Sequence, residues 1–467
     1  MTDDLRVLPP ARPRGQPCVL DFEGSPLPAF EGEPVAVSLW AAGVRLLGRS
    51  TKFHRPRGAF CFEGHCASCF LRIDGQPNIR ACMTPARSGL RCERQNSFPS
   101  AEIDVLAAAD WMFPDQMDHH TLLTGNRVTN RLLVGLVRQM GGSGTLPDAA
   151  PVSARPAAQS LSDELTEQSL EIKVDVCIVG AGPAGLTAAA TLGRRAPGAR
   201  VLLVDEQLEL GGSWLAEPGG VARAQAEIET ARALGVTLLP RAAALGFFAE
   251  DLVKSERRPD AIRGTLAVCT RDGLRSVSAR RILYATGAYD QNLPFFDNDR
   301  PGVISARACG RLAFRHGLRP GRRVAIVGPS TQGDRLASGL VAAGLRADRI
   351  VRIDPQADRP VAARGITRLR GLAVMVEGRR GEREIAADVI AVAAIPAPAS
   401  ELPRQHGARV RLDETGGGFV ALADHGFRTD ADGVFCCGDV TGYLGPELAA
   451  EAGAAAAAEI THTLDMT

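Results

Sequence analysis

The sequence predicts an α/β protein with at least two domains. Four of its eleven cysteines fall within residues 61–82. Further along, a glycine-rich turn follows the apolar, strand-like segment VDVCIVG, which begins at Val174. From there to the C-terminal end, strand-like and helix-like segments alternate, which is typical of a doubly wound sheet. The 467 residues are also too many for one compact core.

Charge and hydropathy exclude several classes of protein. The 54 Lys and Arg residues balance 53 Asp and Glu residues, so no nucleic-acid partner is expected. No apolar run approaches the roughly 20 residues that span a bilayer, and the first residues lack the apolar segment of a secretory signal. We therefore expect a cytoplasmic protein without a membrane span. In that compartment clustered cysteines indicate metal binding or catalysis more than disulfides.

The clustered cysteines have the spacing C-x4-C-x2-C…C, formed by Cys61, Cys66, Cys69 and Cys82. This is the plant-type arrangement of ligands for a [2Fe–2S] cluster. Thiolates are soft ligands, which the irons of such a cluster prefer. Gly58 and Gly64 would permit the cramped loop that three neighbouring ligands require. The alternatives are zinc, which the x4 spacing fits poorly, and unligated thiols.

The other cysteines are expected to be ordinary residues of the fold. Cys18, Cys92 and His65 are the substitute ligands nearby, and each is predicted to be a buried or loop residue. The remaining five are predicted to be small core residues, namely Cys177, Cys269, Cys309, Cys436 and Cys437. Ahead of the cluster, a hairpin-like LDFEGSPLPAF and the amphipathic EGEPVAVSLWAAGVRLLGR predict a β-grasp ferredoxin domain, which relays electrons.

The first glycine-rich turn has the pattern G-x-G-x-x-G between an apolar strand and a helical run. Its first glycine, Gly180, permits the tight turn, and Gly182 allows the backbone to approach a pyrophosphate. Gly185 lets the helix pack on the strand, so that the helix N-terminus faces the pyrophosphate. The next strand ends in Asp205 and Glu206, and one of these carboxylates is expected to bind the adenosine ribose.

Two further signals favour FAD over a nicotinamide cofactor. A strand ends in the turn Ala-Thr-Gly, which is common in flavoproteins with two dinucleotide domains. Near the C-terminal end, Gly-Asp precedes an alanine-rich helix that should also pack tightly, and in such flavoproteins this aspartate holds the ribityl chain. The predicted cofactor-binding residues are therefore Gly180, Gly182, Gly185, Asp205, Glu206, Gly212, Thr286, Gly287, Gly438 and Asp439.

A second strand-turn-helix segment, RRVAIVGPSTQG, opens at Arg322. Its turn contains Gly328 and Gly333, but Ser330 replaces the middle glycine, and a Cβ there obstructs a pyrophosphate. Asp354 at the end of the next strand offers a carboxylate for a ribose. We favour a retained fold without a dinucleotide, and the sequence leaves NAD(P) binding at this turn open.

These signals divide the chain into three parts. Residues 1–100 form a β-grasp [2Fe–2S] domain, and 101–170 form a connecting segment with a helix at 129–139 and a linker. Residues 171–467 form an FAD-binding domain with an inserted NAD(P)-like domain at about 302–390. The predicted fold class is thus α/β, with an N-terminal ferredoxin-like domain followed by a Rossmann-like flavoprotein fold that has two dinucleotide-binding domains.

Several stretches resemble the α subunits of heteromeric amine and amino-acid dehydrogenases. This family includes sarcosine oxidase, opine oxidase, D-hydroxyproline dehydrogenase and hydrogen cyanide synthase. The stretches are GRSTKFHRPRG at 48–58, VDEQLELGGSWL at 204–215, ATGAYDQNLPFFDNDRPGVISA at 285–306 and GDVTGYLGPELAAEAG at 438–453. They are spread over nearly the whole chain.

The resemblance implies an electron-transfer, α-type subunit of a flavin-dependent amino-acid or secondary-amine dehydrogenase. It implies that the amine is oxidised on a partner, a flavoprotein β subunit of the D-amino-acid-dehydrogenase type, and that electrons pass to a downstream acceptor. It also leaves NAD or ATP open in the first glycine-rich site, and FMN at a subunit interface.

Two alternatives remain beside this interpretation. The first is a self-contained NAD(P)H-dependent reductase that carries FAD and a [2Fe–2S] cluster, and the second is a non-catalytic scaffold with a structural dinucleotide. The sequence offers no catalytic residue, and it specifies neither the amine, the terminal acceptor nor the stoichiometry.

Overall fold

A computed structural model describes residues 4–51, 53–108, 126–140, 171–249, 262, 264–378 and 381–465. The chain divides into two compact units, each made of two chain segments. The first unit contains Met1–Arg155 and Asn292–Ala393, and the second contains Pro156–Gln291 and Ala394–Thr467. The inserted segment therefore belongs to the same unit as the N-terminal domain. No helix in the described ranges is long and apolar enough to cross a membrane.

The first unit begins with a β-grasp domain. Its elements are β1 (Pro17–Phe22), β2 (Ser25–Phe30), α1 (Val35–Ala41), β3 (Gly48–Arg49), β4 (Pro56–Arg57), β5 (Phe70–Ile73), β6 (Gln76–Arg80) and β7 (Arg91–Glu93). Five strands form a sheet in the order β2-β1-β7-β5-β6, in which β1 and β7 are parallel and the other pairs are antiparallel. Every residue of α1 is buried. The predicted fold of this part is confirmed.

Only a short part of the predicted connecting segment can be described. Helix α2 (Arg127–Met140) contains the helix predicted at 129–139. Residues 109–125 and 141–170, which include the predicted linker, lie outside the described residues.

The second unit opens with a parallel sheet. Its first elements are β8 (Glu171–Val179), α3 (Pro183–Arg195), β9 (Val201–Asp205), α4 (Gly220–Ala233), β10 (Thr237–Pro240), β11 (Ala243–Ala249), β12 (Gly264–Thr270), β13 (Gly273–Tyr284) and β14 (Ala288–Tyr289). The strands β10, β9, β8 and β13 are neighbours in that order and run parallel. Along β8, Val176 and Ile178 enter one core while Cys177 and Val179 enter another. Because both faces are covered, this strand is apolar throughout.

The inserted segment returns the chain to the first unit. Its elements are β15 (Val303–Ser305), α5 (Ala306–Gly310), β16 (Val324–Val327), α6 (Gln332–Ala342), β17 (Ile350–Ile353), β18 (Asp358–Gly365), β19 (Leu369–Val376), β20 (Glu382–Ala386) and β21 (Val389–Val392). A parallel sheet has the order β15-β21-β16-β17, and β18, β19 and β20 form an antiparallel meander. One hydrophobic core contains Leu39 of the β-grasp domain together with Leu312 of the insertion.

The second unit is completed by the C-terminal segment. Its elements are β22 (Ala397–Pro398), α7 (Glu401–Gln405), β23 (Val410–Asp413), β24 (Gly418–Ala421), β25 (Val434–Cys436) and α8 (Pro446–Asp465). Strand β25 adds to the parallel sheet beside β13. A Cβ on Gly453 of α8 would lie 2.0 Å from the carbonyl oxygen of Ala184 in α3. The alanine-rich helix therefore packs as tightly as its small residues predict.

The predictions for the remaining cysteines are confirmed with one exception. Cys18 and Cys92 are buried, as are the four core cysteines Cys177, Cys309, Cys436 and Cys437, while His65 is exposed. Burial raises the pKa of the Cys92 thiol to about 12. The exception is Cys269, which is exposed. Residues alternate between the faces of a strand, and in β12 the neighbours Leu266 and Val268 take the buried face.

Candidate cofactor sites

The four predicted cluster ligands lie together in the first unit. Cys61, Cys66 and Cys69 lie on the loop between β4 and β5, and Cys82 lies in a short helical turn directly after β6. The thiol of Cys61 contacts those of Cys66 and Cys82, and Cys69 contacts Cys82. Cys66 is partly exposed and the other three are buried. The fold thus joins a ligand from outside the loop to the three within it.

Left-handed backbone conformations shape this loop. Phe62 and Ala67 each have a φ of 54°, and Gly64 has a φ of 84°. A Cβ on Gly64 would lie 3.0 Å from the side chain of Met83, so both its conformation and its surroundings favour glycine. Gly58 has a different role, because a Cβ there would lie 2.6 Å from the carbonyl oxygen of Arg45.

The loop supplies hydrogen-bond donors to sulfur. Hydrogen bonds from the Cys66 and Cys82 thiols hold the pKa of Cys61 well below its usual range, with further help from backbone amides. One of these amides is the N–H of Glu63, whose nitrogen lies 3.4 Å from Cys61 Sγ. The amides of Ala81 and Cys82 likewise donate to Cys69. Such donors stabilise thiolates and the charge that a metal cluster places on them.

The four thiols can be divided into the two pairs that a binuclear cluster requires. A tetrahedral zinc site needs three or four ligands around one ion. A [2Fe–2S] cluster instead needs two thiolates on each of two irons. The contacts of Cys61 with Cys66, and of Cys69 with Cys82, provide two such pairs.

The three glycines of the first glycine-rich turn have different surroundings. Gly180 has a φ of 104°, and a Cβ there would lie 2.3 Å from the carbonyl oxygen of Ala285. A Cβ on Gly185 would lie 1.8 Å from the carbonyl oxygen of Gly180, so α3 packs directly on the turn. At Gly182 the nearest atom to a Cβ would be the Cα of Gly212, 3.9 Å away. Gly182 therefore has open space beside it.

The glycine-rich turn and the N-terminus of α3 together form an open site, which we call the glycine cradle. Helix α3 begins at Pro183, and the residue before it, Gly182, is the N-cap. Because glycine has no side chain, no side-chain oxygen of the N-cap residue accepts a hydrogen bond from the amides of the first turn. Gly212 has a φ of 53°, and a Cβ on it would lie 2.7 Å from the Cα of Gly182. Backbone amides at a helix N-terminus attract anions, and glycines at this point let a bulky anion such as a pyrophosphate approach.

The two acidic candidates for ribose binding have different environments. Asp205 accepts hydrogen bonds from the amides of Ala181, at 2.6 Å, and Gln207, at 2.8 Å. Its carboxylate thereby ties the glycine-rich turn to the end of β9. Glu206 is exposed and lies close to Tyr289, whose pKa is raised to about 12 by burial and by nearby carboxylates. Asp205 therefore contacts the glycine-rich turn, and ribose binding by either residue stays a prediction.

The predicted Ala-Thr-Gly turn joins two segments of the second unit. Thr286 Oγ1 donates to the carbonyl oxygen of Ala399 at 2.7 Å, and the amide of Ala399 donates to the carbonyl oxygen of Gly287 at 2.9 Å. Gly287 has a φ of 72°. The chain leaves the second unit after Gln291 and returns to it at Ala394, and these bonds join the two segments near that point. The hydroxyl of Thr286 thus stabilises the fold of the second unit.

Asp439 is buried in a short helical turn, Gly438–Thr441, that precedes α8. Its Oδ1 accepts hydrogen bonds from the amides of Leu444, at 2.9 Å, and Gly445, at 3.1 Å. Both bonds use the same oxygen, which leaves Oδ2 to accept a ligand hydroxyl. Gly438 has a φ of 79°, and a Cβ there would lie 2.8 Å from the Cβ of Ala184 in α3. Asp439 is thus held rigidly beside the helix that begins the glycine cradle.

The second glycine-rich turn contains an arginine that the sequence analysis missed. Arg352 of β17 donates to the carbonyl oxygens of Gly328, at 2.7 Å, and Ser330, at 3.4 Å. It also donates to Asp334 at 2.8 Å, and a Cβ on Gly333 would lie 2.9 Å from its guanidinium carbon. The third glycine of this turn therefore accommodates an arginine of the same chain. A basic residue inside a short apolar strand was the signal available in the sequence.

Comparison with known families assigns both parts of the chain. Residues 15–97 match the 2Fe-2S iron-sulfur cluster binding domain, and residues 174–456 match the pyridine nucleotide-disulphide oxidoreductase family. These matches confirm the predicted [2Fe–2S] and FAD cofactors at the level of domain families. The second match covers more than half of the chain.

Relatives of known function are similar to different parts of the chain. The α subunit of sarcosine oxidase from Rhizobium meliloti is 32% identical over 389 residues, which are 80% of this chain and 38% of that protein. An opine oxidase subunit of the same organism is 27% identical over 62% of this chain and 71% of its own length. The HcnA subunit of Pseudomonas aeruginosa hydrogen cyanide synthase is 40% identical over 78 residues, or 17% of this chain and 74% of that subunit. The chain thus spans less than two fifths of the sarcosine oxidase protein.

A solved structure has the same fold. L-proline dehydrogenase from P. horikoshii has a TM-score of 0.70 and is 21% identical, and the match covers 98% of this chain and 76% of the other. The predicted family resemblance and fold class are confirmed by these matches taken together. The chain belongs to the pyridine nucleotide-disulphide oxidoreductase family, has a 2Fe-2S cluster binding domain at its N-terminal end, and is similar to the corresponding subunits of sarcosine and opine oxidases.

Proposed function

We propose that this chain is the electron-transfer subunit of a heteromeric, flavin-dependent dehydrogenase of amino acids or secondary amines. The observation that carries the proposal is the presence of two cofactor cradles in one chain. Four cysteines are gathered in the first unit, and a glycine-rich helix start with a buried aspartate lies in the second. Relatives named as oxidase subunits support the same function.

In the first unit, Cys61, Cys66, Cys69 and Cys82 would hold the [2Fe–2S] cluster through their thiolates. The cluster supplies a store for one electron at a time. The partly exposed Cys66 marks the side of the site that faces solvent or a partner. The backbone amides around Cys61 and Cys69 stabilise the negative charge of the thiolates.

In the second unit, the N-terminus of α3 would face the pyrophosphate of FAD, and Gly182 would provide the space for it. The flavin would supply two-electron chemistry that can be passed on one electron at a time. Asp439 Oδ2 would accept a hydrogen bond from the ribityl chain, and Glu206 or Asp205 would bind the adenosine ribose. These residues bind and orient the cofactor, and we assign the oxidation of the amine to a flavoprotein β subunit of the D-amino-acid-dehydrogenase type.

The roles of the two acidic residues can be separated by substitution. Asp205→Asn replaces one acceptor oxygen by an NH2 group that faces a backbone N–H donor, so we expect a lower Tm and weaker flavin binding. Glu206→Gln keeps the turn intact and should weaken flavin binding alone, by roughly tenfold for one charged hydrogen bond. Thermal unfolding and flavin titration of the apoprotein measure the two effects. An unchanged flavin affinity in both variants would exclude these residues from ribose binding.

The proposed function is tested by reconstitution with a partner. The chain is co-expressed with a flavoprotein of the D-amino-acid-dehydrogenase type, and the complex is mixed with a secondary amine or amino acid under anaerobic conditions. We expect the cluster to become reduced, as seen by electron paramagnetic resonance. Cys66→Ser should slow electron transfer to an external acceptor and leave flavin reduction by the substrate largely intact.

Two results would replace this proposal with one of its alternatives. Rapid bleaching of the flavin of the isolated chain by NADH would indicate a self-contained NAD(P)H-dependent reductase. A flavin that the assembled complex cannot reduce would indicate a scaffold with a structural dinucleotide. The environment of Arg352 argues against the first result, because its guanidinium packs on the third glycine of the second turn. The cytoplasmic location remains a prediction from the sequence.

A further inference from the structure

The inserted segment of the first unit contacts the cluster loop directly. The amide of Ser305, at the end of β15, donates to the carbonyl oxygen of Phe60 at 3.0 Å. Arg311, in the π-helical turn that follows α5, donates to the carbonyl oxygen of Cys61 at 3.3 Å. The same guanidinium forms an ion pair with the carboxylate of Glu63. These contacts involve three residues from 60 to 63, in and just before the loop that carries three cluster ligands.

A tryptophan of the β-grasp domain strengthens this attachment. Trp40 of α1 donates through Nε1 to the carbonyl oxygen of Pro320 in the insertion, at 2.9 Å. Its ring also packs edge-on against Phe62 of the cluster loop, with ring centroids 5.5 Å apart. The loop is therefore held between the β-grasp helix and the inserted segment.

The ion pair is almost completely removed from solvent. The side chain of Arg311 is 2% exposed and that of Glu63 is 14% exposed. Burying two charges costs solvation free energy, which their attraction does not always offset. An isolated charge in such a place interacts strongly with nearby charges because few water molecules screen it. The guanidinium of Arg311 donates to the carbonyl oxygen of Cys61, which is itself a predicted cluster ligand. Its charge can therefore act on the cluster in addition to holding the loop in place.

We propose that Arg311 sets the reduction potential of the [2Fe–2S] cluster by offsetting the negative charge of Glu63, and that the inserted segment serves as the platform that holds the arginine against the cluster loop. The proposal rests on the assignment of the cluster to the four cysteines. Reduction adds one negative charge to the cluster, so a nearby positive charge favours the reduced state. Arg311 is a positioning residue, since it touches the backbone of Cys61 and the side chain of Glu63.

Three variants separate the charge of Arg311 from its structural contacts. Arg311→Gln removes the positive charge beside the Glu63 carboxylate and should make reduction harder. Glu63→Gln removes the negative charge beside the guanidinium and should make reduction easier. Combining the two substitutions restores a neutral pair, so the potential should return close to that of the unaltered chain. Arg311→Lys keeps the charge and should preserve most of the potential.

The experiment is an anaerobic potentiometric titration of the full chain with dithionite, followed by electron paramagnetic resonance. At a fixed solution potential, Arg311→Gln should lower the ratio of reduced to oxidised cluster by about tenfold, which corresponds to about 59 mV for a one-electron couple. Glu63→Gln should raise the ratio by a similar factor. The control is Arg57→Gln, which breaks a more exposed ion pair between the β-grasp domain and Asp299 of the insertion. Because solvent screens that pair, the control should leave the potential unchanged.

Iron and acid-labile sulfide are determined before each titration. If the unaltered chain contains no [2Fe–2S] cluster, the proposed function itself fails. If the cluster is present and all variants share one midpoint potential, only the role of Arg311 is refuted. If Arg311→Gln loses the cluster, the potentials of the other two variants test the role of Arg311. Arg311→Lys retains the positive charge, and the double variant has a neutral pair. A double variant shifted as far as the single variant would indicate a structural contact instead of charge tuning.

Discussion

Replacing Cys66 and Cys69 together by serine is expected to abolish the [2Fe–2S] cluster of this chain. The sulfur contacts place Cys66 in one pair of ligands and Cys69 in the other, so each iron would lose one thiolate. A serine hydroxyl is a hard, neutral ligand that stays protonated, whereas iron in such clusters requires soft, anionic sulfur. We expect iron and acid-labile sulfide to fall close to zero, and the paramagnetic signal after dithionite to disappear.

A second cysteine substitution provides the matched control. Cys92 lies in the same domain and is buried, but it belongs to the core, where its Sγ lies 4.0 Å from the carbonyl oxygen of Leu90. Cys92→Ser should therefore retain a full complement of iron. The flavin of the second unit should remain bound in both variants. Iron retained by the double variant, or zinc found in place of iron, would contradict the ligand assignment.

Those features that depend on residues close in sequence could be predicted. The cluster loop is short, so the spacing of Cys61, Cys66 and Cys69 alone restricts which metals they can bind together. The demand on Gly185 is equally local, because it arises from the carbonyl oxygen of Gly180 in the same turn, whereas the atom that a Cβ on Gly180 would meet belongs to Ala285, far along the chain. The cluster loop and the glycine-rich turn each lie next to the end of a strand. Those strands can be predicted from their apolar residues.

Contacts between distant parts of the chain could not be predicted. Arg311 lies 250 residues from the cysteine whose carbonyl it binds, and no motif marks it. The available signal was a charged residue in the apolar run ARACGRLAF, since a buried arginine needs an acidic or carbonyl partner. The hydrogen bonds of Asp205 to Ala181 and Gln207 likewise depend on how β9 meets the turn. Sequence reasoning identified Asp205 as a candidate ligand but could not show that the backbone already uses it.

Gly182→Ala is expected to give a folded protein that binds flavin more weakly. A Cβ at this position would meet no protein atom closer than the Cα of Gly212, 3.9 Å away. The backbone φ of Gly182 is −79°, which alanine adopts without strain. The methyl group would instead occupy the space through which the pyrophosphate approaches the start of α3. Steric overlap of this kind costs roughly 1–3 kcal/mol, so flavin affinity should fall about tenfold to a hundredfold.

Gly185→Ala serves as the contrasting variant, because its Cβ would lie 1.8 Å from the carbonyl oxygen of Gly180. That contact is with backbone, so α3 must move and the protein should lose both flavin and thermal stability. Flavin per chain and Tm are measured for both variants, and the cofactor is extracted from the unaltered chain and identified by chromatography. A Gly182→Ala protein with unchanged flavin affinity, measured by titration of the apoprotein, would show that the pyrophosphate lies elsewhere. NAD or ATP in the extract would correct the identity of the cofactor, and the same two variants would then test the same cradle for that dinucleotide or nucleotide.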